Sequence, residues 1–431
     1  MKKFSLLGLL TFSPLAFADL TAWIKPIQEL NAGDTTWLMI STILVLFMTI
    51  PGLALFYAGM VRKKNVLATM AQSFASCCVI AILWVCVGYS LAFTPNNAWI
   101  GGVERFFLQG LTLWTEQGLL TIYPGAPTIP ETVFMLFQMA FAIIAGAIIT
   151  GAFAERMKFS ALLCFVTAWS LFIYVPTAHW VWAEGGWLAN DGVLDYAGGT
   201  VIHVNAGMAG LVAAIMLGKR VGYGKEVMAP HNLVLTLIGT AMLWIGWFGF
   251  NAGSALAADA RAGMAMVVTQ IAAASGAVAW LLIEVVMKHK PSVLGLASGA
   301  IAGLVGITPA AGFVSVQSAL AIGAITSAVC FMSATKLKYW FKYDDTLDAF
   351  GIHGVGGIVG AVLTGIFVSQ EISATTTTLW LQIESVLITL VFSGLGSFII
   401  LKMIDKTIGL RVNYDEERQG LDLVLHGERI E

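Results

Sequence analysis

Two histidines interrupt long apolar stretches of this 431-residue chain, and the same residue types surround each. His203 has an aspartate eight positions before it, Asp195, and glycines four and seven positions after it, Gly207 and Gly210. His353 has Asp345, Gly357 and Gly360 at the same offsets. An ionisable group at bilayer depth is costly to desolvate, so a matched pair points to a pathway through the membrane for something small. A buried imidazole favours its neutral form and then offers one donor and one acceptor nitrogen. Hydrogen-bonded to each other, the two rings would form a fixed polar rail on an apolar wall; as a satisfied pair they could instead simply join two helices. A metal centre is disfavoured, because no Cys, Asp or Glu is placed to complete a coordination shell, and no cofactor is expected.

The elements that must position these rings follow from composition. With 58% hydrophobic residues, 11% charged residues and a mean hydropathy of +0.84, the chain cannot hide its apolar side chains in a soluble core. It reads as an all-α, polytopic membrane protein with the lipid bilayer as its solvent. A net charge of -2, with no basic run outside short loops, argues against a nucleic-acid partner. Lys2 and Lys3, the apolar run from Phe4 to about Leu15, and Ala16-Phe17-Ala18 read as a cleavable signal peptide over 1–18. An uncleaved anchor would need a longer apolar run. The five cysteines fall in apolar stretches and read as small hydrophobes.

Spans are expected at roughly 36–60, 66–92, 130–153, 160–178, 196–217, 230–251, 262–286, 292–308, 313–334, 348–368 and 379–403. That makes eleven transmembrane helices inside a membrane unit of 19–406, followed by a polar tail of 407–431. With the N-terminus outside, eighteen Lys and Arg residues fall on the cytoplasmic side and three (Lys25, Arg105 and Arg261) on the outer side of the mature chain. A periplasmic N-terminus and a cytoplasmic tail follow. The two Asp-to-His motifs lie on the fifth and tenth spans and so run in opposite directions. This is the pattern of an inverted five-helix repeat, with halves of about 36–218 and 229–368 and an extra helix at 379–403.

The stretches DYAGGTVIHVNAG (Asp195 to Gly207), GWFGFNAGS (Gly246 to Ser254), FGIHGVGGIVG (Phe350 to Gly360) and HWVW (His179 to Trp182) resemble the ammonium transporter (Amt/Mep/Rh) family. The likeness is greatest to its bacterial ammonium channels. It extends to ALFYAGMVRKKNVL early in the chain and GLRVNYDEERQGLD near its end. The resemblance implies a homotrimer in the inner membrane, each subunit with its own pore for ammonium or ammonia, and no enzymatic chemistry. It places an outer recognition site on Phe141, Trp182 and Ser254, a stacked gate on Phe141 and Phe250, and pore imidazoles at His203 and His353. It also implies a PII-type signalling protein docking at the tail; a solvated, subunit-bridging tail carrying none of the burial is the simpler expectation from the residues.

The residue types suit that role. Ammonium is close to potassium in size, so a sieve of fixed diameter would pass both. An aromatic face adds a cation-π attraction of about 0.5–2 kcal/mol, and a hydroxyl accepts a hydrogen bond that ammonium can donate and potassium cannot. Taken singly, an aromatic at a helix end is more often an interfacial anchor. Two phenyl rings across the entrance would exclude water, so the cation would shed its proton and cross as neutral ammonia. Asp195, ahead of Ala-Gly-Gly-Thr, is expected to accept from the N–H groups of Gly198, Gly199 and Thr200 and to lend its field to the entrance; Asp345 is its counterpart. Where the family continues with glycines after Trp182, this chain has Ala183 and Glu184 first, either a vestibule charge or a solvated loop carboxylate. A Rhesus-like channel for neutral gas and an ammonium sensor are the alternatives, and about twenty-five tail residues are few for a signalling domain.

Overall fold

Ten helices among the described residues of the computed structural model, residues 20–430, are long and apolar enough to cross a membrane. The expected signal peptide over 1–18 lies outside the described residues. In chain order the long helices are α1 (Ala32–Met60), α2 (Lys63–Phe93), α3 (Glu131–Ala152), α4 (Phe159–Asn190), α5 (Gly199–Leu217), α6 (Leu233–Gly253) and α7 (Ala260–Lys288). After the shorter α8 (Val293–Ile307) come α9 (Val316–Trp340), α10 (Ala349–Phe367) and α11 (Leu379–Thr407). Helix α8 occupies the span expected at 292–308, but its 15 residues rise only about 22 Å against a hydrocarbon core of about 30 Å. A short antiparallel pair, β1 (Ile24–Pro26) with β2 (Leu119–Thr121), covers the end remote from the tail.

Most helix starts are capped locally. Asn31, Asn232, Asp259, Ser292, Ser315 and Thr378 accept from the first free N–H groups of α1, α6, α7, α8, α9 and α11. The starts of α5 and α10 are built differently and alike. Each begins with a widened π turn, Gly199–Val204 and Ala349–Gly354, whose fifth residue is the histidine. Each is preceded by a left-handed residue three positions after the aspartate, Gly198 (φ 116°) and Asp348 (φ 56°). Aspartate tolerates that conformation better than most side chains, and Asp348 is held there by Lys338 at 2.6 Å.

Glycine then lets the two helices touch. A Cβ at Gly207 would run into the backbone of Gly354, and one at Gly357 would stand 2.7 Å from the Gly199 carbonyl oxygen. Close backbone approach of this kind is what small residues provide between membrane helices. Gly207→Ala must push α5 from α10, because backbone cannot rotate aside as a side chain can. We expect a cost of about 1–3 kcal/mol, read as a lower thermal midpoint of purified protein; an unchanged midpoint would mean that the crossing is loose.

The tail is not the unburied appendage expected from its charge. Its helices α12 (Tyr414–Gln419) and α13 (Leu421–His426) fold back against the helix ends. Val412 and Leu421 pack on Ala68, Leu421 N–H donates to Asn65 Oδ1 (2.9 Å), and Asp422 Oδ1 accepts from Ala68 N–H (2.8 Å). Glu417 accepts from Val221 N–H (2.6 Å) and Arg411 (2.7 Å). Isolated apolar residues in a charged stretch look solvated until the groove that receives them is in place.

Beneath the tail, buried Glu155 accepts from the Arg62 backbone N–H (2.7 Å) and side chain, and Arg220 bridges it to Asp344 at 3.4 and 2.9 Å. Burial works to raise the Glu155 carboxyl, but Arg220 and Arg62 outweigh it and hold it below the ordinary value. Asp344 likewise ends below its ordinary value despite burial, through Arg220. Carboxyls lowered in the folded state give stability that is full above their unfolded values and lost as pH falls through the lowered ones. The thermal midpoint should therefore be flat between about pH 6 and 8 as far as these groups decide it. Glu155→Gln should lower it at neutral pH by the equivalent of about 3 kcal/mol, since the largely buried Arg62 loses its counter-charge and Arg220 keeps only Asp344.

Candidate functional site

Helix α4 breaks its regular run after Trp182, where Ala183 turns extended (φ -74°, ψ 147°). The indole is thereby left at a helix end, and its Nε1–H donates to the Asp195 carbonyl oxygen at 2.8 Å. Trp182 lines a cavity of about 150 Å³ together with Phe141, Ser254, Gln138, Tyr196 and Glu184. Ser254 Oγ donates its proton to the Phe250 carbonyl (2.9 Å), which leaves its lone pairs free to accept. Gln138 Oε1 and the Tyr196 hydroxyl are buried without a hydrogen-bond partner. A cavity with aromatic faces and unfilled acceptors suits a small cation that donates hydrogen bonds.

From this cavity a file of rings leads inward. Phe141 meets Trp182 edge-on at 5.8 Å between centroids and stacks on Phe250 at 4.4 Å with an interplanar angle of 24°. Phe250 lies 6.0 Å from His203, and His203 lies 5.3 Å from His353. Trp247 stacks on His203 from the side at 5.4 Å, fixed by its Nε1–H donating to Thr308 Oγ1 at 2.8 Å. Phe141 and Phe250 are buried to within 2%, so the stack closes the inner wall of the cavity.

The imidazoles face each other through their Nδ1 atoms at 3.3 Å. Such a contact holds one proton, so one ring must carry hydrogen on Nδ1 and the other on Nε2 while both are neutral. The far nitrogens of the pair then present one donor and one acceptor. His203 Nε2 is buried without a partner, which is a costly state in a packed core and an available one in a pathway.

Both aspartates act on backbone. Asp195 accepts from the N–H groups of Gly198 (2.9 Å), Gly199 (2.5 Å), Thr200 (2.9 Å) and Val201 (3.0 Å) and from Thr200 Oγ1 (2.6 Å). Asp345 accepts from Ala349 (3.0 Å), Phe350 (2.8 Å) and Gly351 (3.1 Å). Burial and the neighbouring Asp348 carboxylate push the Asp345 carboxyl up. Glu184 is an exposed residue on the cavity lining whose N–H donates to the Tyr123 hydroxyl at 3.2 Å. The expected site residues Phe141, Trp182, Ser254, Phe250, His203 and His353 thus fall on one continuous file, with Asp195 and Asp345 supporting its helix starts. Gln138, Tyr196 and Trp247 were not anticipated. Gln138 lies one helical turn before Phe141, a spacing that puts both on one face.

A polytopic helical membrane protein with paired imidazoles at a close helix crossing is the class that fold and site define. The model of the Ammonium Transporter Family matches residues 36–430. The chain is 47% identical to an ammonium transporter of Bacillus subtilis, over 93% of this chain and 98% of that one. It is 45% identical to an ammonium transporter of Aquifex aeolicus, over 93% and 94%. Its structure resembles that of Saccharomyces cerevisiae Mep2, with a TM-score of 0.82 at 34% identity over 90% and 89%, and that of a sensor Amt protein, with 0.84 at 28% identity over 91% and 98%. The chain belongs to the ammonium transporter family.

Proposed function

We propose that this transporter binds ammonium in the cavity faced by Trp182, Phe141 and Ser254, deprotonates it at the Phe141–Phe250 stack, and conducts ammonia along His203 and His353. The observation that carries this reading is the unbroken file of rings from Trp182 to His353. In the cavity the cation gains the indole face and donates to Ser254 Oγ and Gln138 Oε1. At the phenyl stack it meets a dry passage where a bare charge costs several kcal/mol. Its N–H bond breaks there, the electron pair stays on nitrogen, and the proton passes to an acceptor and crosses apart from the ammonia, so that each ammonium carried moves one net charge. Neutral ammonia then accepts from one far imidazole nitrogen and donates to the other. No covalent intermediate and no cofactor enter the cycle.

The same reading takes α8 as an eleventh span, α1–α5 and α6–α10 as inverted halves, and the active assembly as a homotrimer in the inner membrane. It places the N-terminus in the periplasm after removal of 1–18 and the tail in the cytoplasm, where a PII-type protein docks. The matched π turns and left-handed residues before His203 and His353 support the inverted halves.

Ammonium pulses applied to proteoliposomes test the mechanism, with potassium as control. A current with ammonium alone is expected; uptake without net charge movement would turn the reading to a neutral-gas channel. Trp182→Leu removes the indole face and keeps an apolar side chain. Loss of about 0.5–2 kcal/mol raises the half-saturating ammonium concentration about 2- to 30-fold. An unchanged concentration dependence in well-folded protein would remove Trp182 from the site.

A further inference from the structure

Helix α6 ends in a reversal of the kind that glycine usually makes. Ser254 closes the helix with right-handed backbone, Leu256 N–H donates to the Gly253 carbonyl at 2.9 Å, and Leu256 itself is left-handed, with φ 58°. Glycine turns the chain past a helix end without steric cost, whereas a side chain there brings its Cβ against the following carbonyl oxygen. Such strain persists only where the surrounding structure imposes it. Here it is imposed from both sides: Trp37 Nε1–H donates to the Ala252 carbonyl at 3.3 Å before the reversal, and the Asp34 carboxylate accepts from Ala258 N–H at 2.8 Å after it.

The residue held in this way lies on the cation cavity. Leu256 is half-buried, packs against the apolar core and lines the cavity together with Trp182, Phe141 and Ser254. Among the described residues of that lining it alone has a positive φ. Along α6 come first Phe250 in the phenyl stack, then Ser254 one turn later, and Leu256 past the helix end. Its isobutyl group therefore stands at the end of the cavity remote from the stack. A hydrocarbon side chain offers a small cation no hydrogen bond, so its contribution there is shape. The cavity, at about 150 Å³, has room for several molecules of water size, and its volume alone does not reject a cation one methyl group larger than ammonium.

We propose that Leu256 is a size filter: its side chain, fixed by the left-handed turn, narrows the entrance to the cavity and sets the discrimination between ammonium and N-alkylated ammonium ions. The inference rests on the cavity as the cation site and adds which cations that site admits. Ammonium presents an N–H in every direction and can meet the indole face, Ser254 Oγ and Gln138 Oε1 in any orientation. An alkylammonium has to bring its methyl group past Leu256 and then has one donor fewer to offer. A glycine at 256 would relieve the backbone and leave this end of the cavity open, so the strained leucine gives up stability for a narrower entrance.

Initial uptake of ammonium and of methylammonium into proteoliposomes is measured over a range of concentrations for the full-length parent, Leu256→Gly, Leu256→Ala and Leu256→Met, with the thermal midpoint of each protein. Leu256→Gly and Leu256→Ala should each lower the half-saturating concentration of methylammonium about tenfold relative to that of ammonium, the discrimination that one methyl-sized group carries in a shaped pocket. Leu256→Met keeps the bulk and should hold the parent ratio within about twofold. The midpoint of Leu256→Gly should lie above that of Leu256→Ala, since glycine alone escapes the left-handed penalty; the reverse order would mean that the turn does not fix the side chain, and would overturn the proposal. A ratio unchanged in both small variants would overturn it as well, and so would a ratio that moves with glycine but not with alanine, which would place the effect in the backbone. Trp182→Leu keeps this apart from the cavity itself. If that variant shifts half-saturation for both cations while the Leu256 variants leave the ratio alone, the cation site stands and the filter falls; if it shifts neither cation, the site reading falls first and the filter with it.

Discussion

Replacing His203 by Asp together with His353 by Ala is expected to yield a protein that passes potassium as well as ammonium. The parent rings fill their space: His203 is fully buried, packed against both Trp247 and Phe250, and faces His353 through Nδ1. A carboxylate and a methyl are smaller, so the exchange opens room for water and puts a fixed negative charge in it. The penalty on a charge at this depth is about 3 kcal/mol on insertion scales, and relieving it is worth about a hundredfold in rate. Potassium currents should therefore rise from background toward those of ammonium in the same proteoliposomes. Replacing one histidine alone is a different experiment. It strands the other ring's Nδ1 without its partner, at about 1–3 kcal/mol, and lowers conduction without admitting potassium. A double variant that folds, assembles and keeps full ammonium selectivity would put selection entirely in the outer cavity and remove the imidazole pair from it.

What the sequence made legible follows the range of the forces involved. The histidines could be paired because each carries its own aspartate and glycines within one turn-and-helix unit, and the two units repeat. Spans could be placed because a bilayer demands long apolar runs, though a run of the right composition at 292–308 gave no warning that α8 would stop at 15 residues. The aromatic file was different. Phe141, Trp182 and Phe250 stand on three helices, and nothing local to any of them announces the others; family likeness, not spacing, singled them out. Gln138 was within reach of helical periodicity from Phe141, but an amide on an apolar helix reads as a packing contact until its oxygen is seen to lack a partner. The bond from Trp182 to the Asp195 carbonyl was beyond reach, because backbone acceptors have no sequence signature. The same holds for Gly354, whose lack of a side chain matters only once Gly207 lies against it.

Ending the chain after Val412 should therefore cost more than the loss of a solvated tail. The cut leaves Asn65 Oδ1 without the Leu421 N–H, the Ala68 N–H without Asp422, and Arg411 without Glu417. It also uncovers Ala68 where Leu421, fully buried in the intact chain, had packed. Burial of one leucine is worth about 1.5–3 kcal/mol, and each lost hydrogen bond to a charged group about 1.5–3 kcal/mol where the partner stays dry. Water reaches these groups at the helix ends once the tail is gone, so the lower part of that range applies, and a fall of about 3–5 kcal/mol in stability is expected. Arg411 would keep its bonds to the Leu217 and Lys219 carbonyls (2.8 and 2.7 Å), and the file of rings has no contact with the removed residues. The shortened protein should thus insert and conduct ammonium with selectivity intact, at a lower thermal midpoint, while any binding of the PII-type partner proposed for the tail disappears. A pull-down that retained the partner at full strength would move the docking surface to the loops beneath the tail. A shortened protein as stable as the parent would mean that the contacts of Leu421 and Asp422 are too transient to hold the loops at Asn65 and Val221 together.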